Sequence, residues 1–242
     1  MKILAIDSSS LVASVAIVED DILVAEYTIN YKKTHSQTLL PMIDEICRIT
    51  DYRLEEIDAI AVSAGPGSFT GLRIGSATAK GLGLALKKPL IHVPTVEAMA
   101  YNFYDTDNYI VPIMDARRSQ VYTGIYSNKE GIVKEILPQC IMSIEELVDK
   151  INETGHPVVF SGDGIPVFRE KIMELAQVPV LFAPAGMNRQ RAAAVAELGK
   201  KYLLQGRTET AAQHSPNYLR LSQAERERKI RDGEGNEERA DS

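Results

Sequence analysis

The chain has 242 residues, 45% of them hydrophobic and 25% charged, with a formal net charge of −6. That length and balance fit one large globular unit or two smaller ones, each with a real core. The acidity argues against tight binding of nucleic-acid phosphates by this chain alone.

Other classes fall away for similar reasons. Cys47 and Cys140 stand far apart, which argues against a disulfide framework or a thiolate zinc site. No stretch approaches the ~18 uninterrupted apolar residues of a membrane span, and no secretory leader is visible. A cytoplasmic protein with no membrane contact is expected.

The elements follow in chain order. Residues 2–6 read as a buried strand closing on Asp7 and the polar turn Ser8-Ser9-Ser10. Strands over 11–18 and 22–30 come next, linked by Glu19-Asp20-Asp21. A helix is expected over 36–49, where Leu39, Leu40, Ile43, Ile46 and Cys47 recur on one helical face. Pro41 is read as lying in its opening turns, where a missing N–H is tolerated. Residues 57–64 form a buried strand that ends at Gly65-Pro66-Gly67-Ser68-Phe69-Thr70-Gly71. The helix after it, over 70–86, is rich in small residues: Gly71, Gly75, Ser76, Ala77, Ala79, Gly81, Gly83 and Ala85. Each glycine costs a helix ~1 kcal/mol relative to alanine, so close approach of another backbone is the expected reason. A strand over 90–93 and a helix over 95–104 complete this half.

Asp105-Thr106-Asp107-Asn108 breaks the pattern and is read as a boundary. The first lobe is then 1–104, a smaller second lobe is 105–223, and 224–242 is a charged tail of the composition that stays disordered. The second half opens as the first does: an apolar strand over 109–114 ending in Asp115, a polar turn, then a strand over 120–126. This repeated phrase implies two related α/β lobes. A helix over 144–151, a strand over 158–161, the turn Gly162-Asp163-Gly164 and a helix over 166–175 follow. An alanine-rich helix over 190–204 is expected to pack back on the first lobe.

The glycine-rich turn at Gly65–Gly71 invites a phosphate-binding reading. It lacks the Lys-Ser/Thr of a Walker A loop, because Leu72-Arg73 follow Gly71, and its third glycine comes one residue late for a dinucleotide fingerprint. A packing turn, with Ser68 or Thr70 as helix N-cap, is the favoured reading. Asp7 and Asp115 each end a strand, one per half. Together with Ser8 and Ser9 they are candidates for a vestigial nucleotide site; an aspartate that only organises its own turn explains each equally well. The histidines, His35, His92, His156 and His214, show no i, i+3 or i+4 pair, so no helical metal pair is indicated. No nucleophile elbow is present.

The motifs Ala5-Ile6-Asp7-Ser8-Ser9, His35-Ser36-Gln37, Gly65-Pro66-Gly67-Ser68-Phe69-Thr70-Gly71-Leu72-Arg73-Ile74-Gly75, Pro112-Ile113-Met114-Asp115-Ala116-Arg117-Arg118 and Pro216-Asn217-Tyr218-Leu219-Arg220 together resemble the TsaB (YeaZ) family. The resemblance covers about residues 1–223, and the Gly65–Gly75 block is its most specific part. It implies an α/β, actin-like/hsp70-like (ASKHA) fold of two related mixed-sheet lobes, akin to the catalytic subunit TsaD. TsaD-type proteins hold a metal through an H-x-x-x-H motif; the matching positions here are Thr95 and Met99, neither of which replaces imidazole. No metal, no cofactor and no catalytic residue are therefore expected.

The resemblance further implies a non-catalytic subunit that binds and activates TsaD. In that role TsaD moves threonylcarbamoyl from its adenylate to N6 of the transfer-RNA adenosine beside the anticodon. The ATPase TsaE would join the assembly, tRNA would be met only through the complex, and a homodimer is a further form. The expected partner interface comprises Leu39, Leu40, Ile43, Phe69, Leu72, Arg73, Gly75, Ser76, Ala79 and Gly83. On this reading Gly75→Arg or Gly81→Arg blocks partner binding and leaves the fold intact. The competing readings are a nucleotide-dependent kinase or ATPase using Asp7 and Asp115, and a metal-dependent TsaD-like transferase.

Overall fold

The structure, a computed structural model, describes residues 1–31 and 34–220. The charged tail expected over 224–242 lies outside the described residues. The first sheet is built from β1 (Lys2–Asp7), β2 (Val12–Glu19), β3 (Ile22–Asn30), β4 (Ala59–Ser63) and β5 (Leu90–Val93), with α1 (His35–Thr50), α2 (Phe69–Leu86) and α3 (Thr95–Ala100) between and after them. The second sheet contains β6 (Thr106–Arg117), β7 (Gln120–Lys129), β8 (Ile132–Ser143), β9 (Val158–Ser161) and β10 (Val180–Phe182), interleaved with α4 (Ile144–Thr154) and α5 (Ile165–Leu175) and followed by α6 (Ala192–Leu204).

Both halves run strand, strand, strand, helix, strand, helix, strand, helix. The sheet orders are β3-β2-β1-β4-β5 and β10-β9-β6-β7-β8, which are the same order once the second is read from β8. In each, three antiparallel strands are extended by two parallel ones. The short phrase repeated in the sequence thus marks a repeat of the whole topology. This is the two-lobed actin-like architecture.

Side-chain alternation decides how the layers stack. In β1, Leu4 and Ile6 face one way and pack with Val15, Ile60 and Val62 against Leu39, Met42, Ile43 and Ile46 of α1. Ile3 and Ala5 face the other way and meet Ala192, Val195, Ala196 and Leu198 of α6. Ala16, Ala59 and Ala61 keep that second face shallow. A Cβ added to Gly199 would come within 2.7 Å of Ala61 Cβ, so α6 lies almost on the sheet itself. The second sheet is covered on one face by α4 and α5 through Leu147, Val148, Ile151, Phe168 and Ile172. Its other face is covered by Val96, Met99 and Ala100 of α3. The last helix of each half therefore covers the other half's sheet.

Several details differ from the sequence reading. Strands β8 and β10 were not anticipated. β8 is an edge strand whose residues are mostly exposed or half-buried, with Lys134, Glu135 and Pro138 interrupting any apolar pattern. Helix α3 stops at Ala100, earlier than expected, where Tyr101 N–H turns back to the carbonyls of Glu97 and Ala98. The strand after it already begins at Thr106, which leaves Asp105, in the left-handed region, as the break. Pro41 lies inside α1 and not at its start, so the helix forgoes one backbone bond there. Among the described residues no helix is long and apolar enough to cross a membrane.

The close seat of α6 leads to a prediction. Gly199→Val should lower stability by about 1–3 kcal/mol through overpacking against Ala61. Gly186→Ala, where a Cβ meets open space, should change it little. Urea unfolding of the two variants checks this.

Candidate functional site

The end of β1 and the start of α2 meet backbone to backbone. Asp7 is buried, and its Oδ1 accepts bonds from Ser9 N–H at 2.9 Å and Ser9 Oγ–H at 2.7 Å. Burial pushes its carboxyl above the usual carboxylate range, against the opposing pull of those Ser9 bonds. Ser8 Oγ donates to the Gly71 carbonyl at 2.9 Å, and Ser68 N–H donates to the Ser9 carbonyl at 2.6 Å. Ser10 Oγ donates to Gln190 Oε1 at 3.0 Å, while His35 Nε2 lies 2.8 Å from the Ser10 carbonyl. The turn that could have held a phosphate is thus bonded throughout to the protein.

The glycines follow from this approach. An added Cβ would meet the Ser9 carbonyl oxygen at 2.2 Å from Gly67, the Ser8 carbonyl oxygen at 2.0 Å from Gly71, and Ser8 Oγ at 2.3 Å from Gly75. Ser68 is the N-cap of α2, accepting a bond from Gly71 N–H at 3.3 Å. The packing-turn reading of Gly65–Gly71 holds. For Gly71, at the start of the small-residue helix, the close backbone is this chain's own Ser8–Ser9 turn. Gly75→Arg consequently cannot leave the fold intact, which corrects that expectation; Gly81 meets nothing within 4 Å and can carry a large side chain.

A cleft of about 510 Å³ opens between the lobes beside this turn. Ser9, His35 and Ser68 line it from one side, and Asp115, Tyr122 and Asp163 from the other. Asp115 Oδ1 accepts from Arg117 N–H at 2.8 Å, and its Oδ2 lies 3.3 Å from Arg117 Nη1. Asp163 Oδ1 accepts from Asp115 N–H at 3.2 Å, and burial raises its carboxyl above the usual range. Of the four candidate nucleotide-site residues, Ser9 and Asp115 line the cleft. Asp7 and Ser8 sit behind it, engaged in the turn. Asp163, from the Gly162-Asp163-Gly164 turn that ends β9, joins Ser9 and Asp115 in lining the cleft.

The C-terminal motif straps this region. Asn217 N–H donates to the Ala64 carbonyl at 2.7 Å, and the Asn217 carbonyl leaves no room for a Cβ at Gly65. The Tyr218 ring packs on Phe69 with centroids 4.6 Å apart, and the Arg73 guanidinium lies 4.0 Å from the Phe69 ring centre. Arg220 Nη1 donates to the Ala116 carbonyl at 2.5 Å, so the strap reaches from one lobe to the other.

The expected interface residues divide by face. Leu39, Ile43, Leu72, Gly75, Ser76, Ala79 and Gly83 are buried and turned toward this chain's own core. Leu40 is 55% exposed and Arg73 is exposed, with Phe69 half-buried between Arg73 and Tyr218. The outer stripe of α2 is Thr70, Arg73, Ala77, Gly81 and Leu84, all exposed. Of these only Arg73 stood in the expected set, although Gly81 was expected to tolerate a bulky substitution at the interface.

Thr95 and Met99 are both buried. Thr95 Oγ1 lies 2.8 Å from Ser63 Oγ and accepts from Gly65 N–H at 3.2 Å, while Met99 packs in the core under the second sheet. A hydroxyl already bonded twice and a core thioether do not fit the metal that an imidazole pair would hold.

The glycine contacts carry a prediction. Gly71→Ala should destabilise the protein by at least about 2 kcal/mol, because the clash is with a backbone oxygen that cannot move aside. Gly81→Ala should be neutral or slightly stabilising. Thermal denaturation of both variants decides.

Comparisons with known proteins agree with this geometry. Residues 23–228 match the family described as TsaD: tRNA N6-adenosine threonylcarbamoyltransferase. The chain is 34% identical over 227 residues to the tRNA threonylcarbamoyladenosine biosynthesis protein TsaB of Bacillus subtilis, covering 93% of this chain and 96% of that protein. A solved structure from Pseudomonas aeruginosa, described as an uncharacterized protein with similarity to peptidase YEAZ, superposes with a TM-score of 0.80 at 26% identity, covering 90% of this chain and 99% of that one. A ROK hexokinase from Thermus thermophilus shares the fold at 11% identity, with a TM-score of 0.51 over 85% of this chain and 100% of its own. The chain belongs to the TsaB (YeaZ) family.

Proposed function

We propose that this chain is a non-catalytic subunit in the formation of threonylcarbamoyladenosine in transfer RNA. In this reading it binds a TsaD-type transferase and holds it in a productive state. A TsaE-type ATPase joins the assembly, tRNA is met only through the complex, and the protein acts in the cytoplasm. The observation that carries the reading is that the positions where chemistry would be sought are taken up in the fold. Thr95 and Met99, which the family resemblance matches to the transferase's metal-binding histidines, are both buried in structural roles. Asp7 is bonded to its own turn and does not line the cleft.

The surface offered to the partner is the outer side of α1 and α2. Leu40 on α1 and Thr70, Arg73, Ala77, Gly81 and Leu84 on α2 are exposed there, with Leu40 at 55% and Leu84 at 68%. Ala77 and Gly81 leave the helix backbone open to close approach, and the two leucines supply apolar area worth burying. A second copy of the chain could use the same surface as a homodimer, in competition with the transferase.

The surface is tested by Gly81→Arg and Leu84→Glu. Both should keep the wild-type circular dichroism and melting temperature. Both should weaken binding to the TsaD-type subunit by at least tenfold, about 1.4 kcal/mol, in titration calorimetry. Wild-type affinity in a folded Gly81→Arg protein would remove the proposed surface. Isolated chain should also bind no stoichiometric ATP in equilibrium dialysis; one tightly held nucleotide per chain would favour the kinase-like reading.

A further inference from the structure

Away from the cleft, three metal-ligating side chains converge that lie far apart in the sequence. The segment after α6 returns to the edge of the first sheet, where Glu209 and Leu90 exchange backbone bonds, each 2.8 Å long. This bridge sets Glu209 beside His92, two residues further along β5. A turn closed by His214 N–H to the Thr210 carbonyl, at 3.1 Å, then brings His214 in from behind. Glu209 Oε2 lies 3.0 Å from His214 Nδ1, and Glu209 Oε1 lies 3.9 Å from His92 Nδ1. One ligand atom from each residue falls within 4.8 Å of the others.

The geometry points to a divalent transition-metal site, best matched to zinc, formed by His92, Glu209 and His214. Two imidazoles and one carboxylate suit a borderline ion and not magnesium or calcium, which take oxygen ligands. In a tetrahedral zinc site the ligand atoms stand about 3.3 Å apart, so the three ligand atoms, now within 4.8 Å of one another, would draw together around the ion.

The His214 side chain is wholly buried, so its Nδ1 is held facing Glu209 by the packing around it. His92 and Glu209 are partly exposed and line a surface cleft of about 340 Å³ with Gly206, Arg207 and Thr208, which gives an ion an entry path and water a fourth position. The nearby cations are otherwise engaged: the Arg207 guanidinium lies 3.4 Å from the Tyr202 ring centre, and Lys80 Nζ donates to the His214 carbonyl at 3.1 Å. A bound ion would clamp the segment leading to Asn217 and Tyr218 onto β5, and so fix the strap over the cleft. This site is independent of the partner reading.

The test uses the tag-free full chain, stripped with a chelator and titrated with zinc against a chromophoric competitor, and with cobalt followed by visible absorption. The expected result is one zinc per chain, a cobalt spectrum of four-coordinate intensity, and a raised melting temperature with zinc. His92→Ala removes a partly exposed ligand, and Glu209→Gln keeps shape while losing charge. Each should weaken zinc binding by more than about tenfold, since loss of even an outer-shell partner weakens such sites by about 10–100-fold. No stoichiometric zinc on the wild-type chain, or equal binding by folded His92→Ala, overturns the assignment and leaves a hydrogen-bonded cluster only.

Discussion

The approach of the α2 start to the Ser8–Ser9 turn is the contact on which the rest of the structure depends. Two stretches of backbone touch at Gly67 and Gly71, and Gly75 makes room for the Ser8 hydroxyl beside them. The contact fixes the end of β1, seats the N-terminus of α2 on its Ser68 cap, and forms one wall of the cleft. It also draws Asp7 and Ser8 into hydrogen bonds that leave neither on the cleft surface. A loop with the glycine content of a phosphate cradle serves here as a joint. With Thr95 and Met99 also in the interior, it is the physical basis for proposing a subunit without chemistry of its own.

Duplication supplies the frame around that joint. Each half has the same strand order, and each gives its last helix to the other's sheet. The alanine-lined face of the first sheet admits α6 at close range, while the second sheet takes the bulkier Val96, Met99 and Phe103 around α3. Neither sheet could bury its second face without the opposite half. With α3 and α6 committed between the lobes, the outer sides of α1 and α2 are left to solvent, which is where the proposed partner surface lies.

What the sequence made legible follows from how strongly each element is buried. Strands with continuous apolar runs, such as Ala59–Ser63 and Val158–Ser161, were placed within a residue or two. The half-exposed edge strand Ile132–Ser143 and the three-residue Val180–Phe182 were missed, because charge and brevity hide a strand's period. Gly71 on α2 does mark a close backbone, which sequence could not assign to this chain's own turn. The same glycines serve an internal turn or an external helix equally well, so spacing alone did not separate the buried stripe of α2 from its exposed one. Spacing along one chain likewise gave no hint of His92, Glu209 and His214, since only the β5 edge bridge brings them together. Asp163 was visible as a turn; its bond to the Asp115 backbone needed the second sheet to be folded.

The most direct test of the central claim is threonylcarbamoyl transfer to transfer RNA in vitro, supplied with threonylcarbamoyl-adenylate. It is run with this chain alone, with a TsaD-type transferase alone, and with both. The account predicts no product from this chain alone, and more from the pair than from the transferase alone. Product from this chain by itself, or a transferase indifferent to its presence, would contradict it.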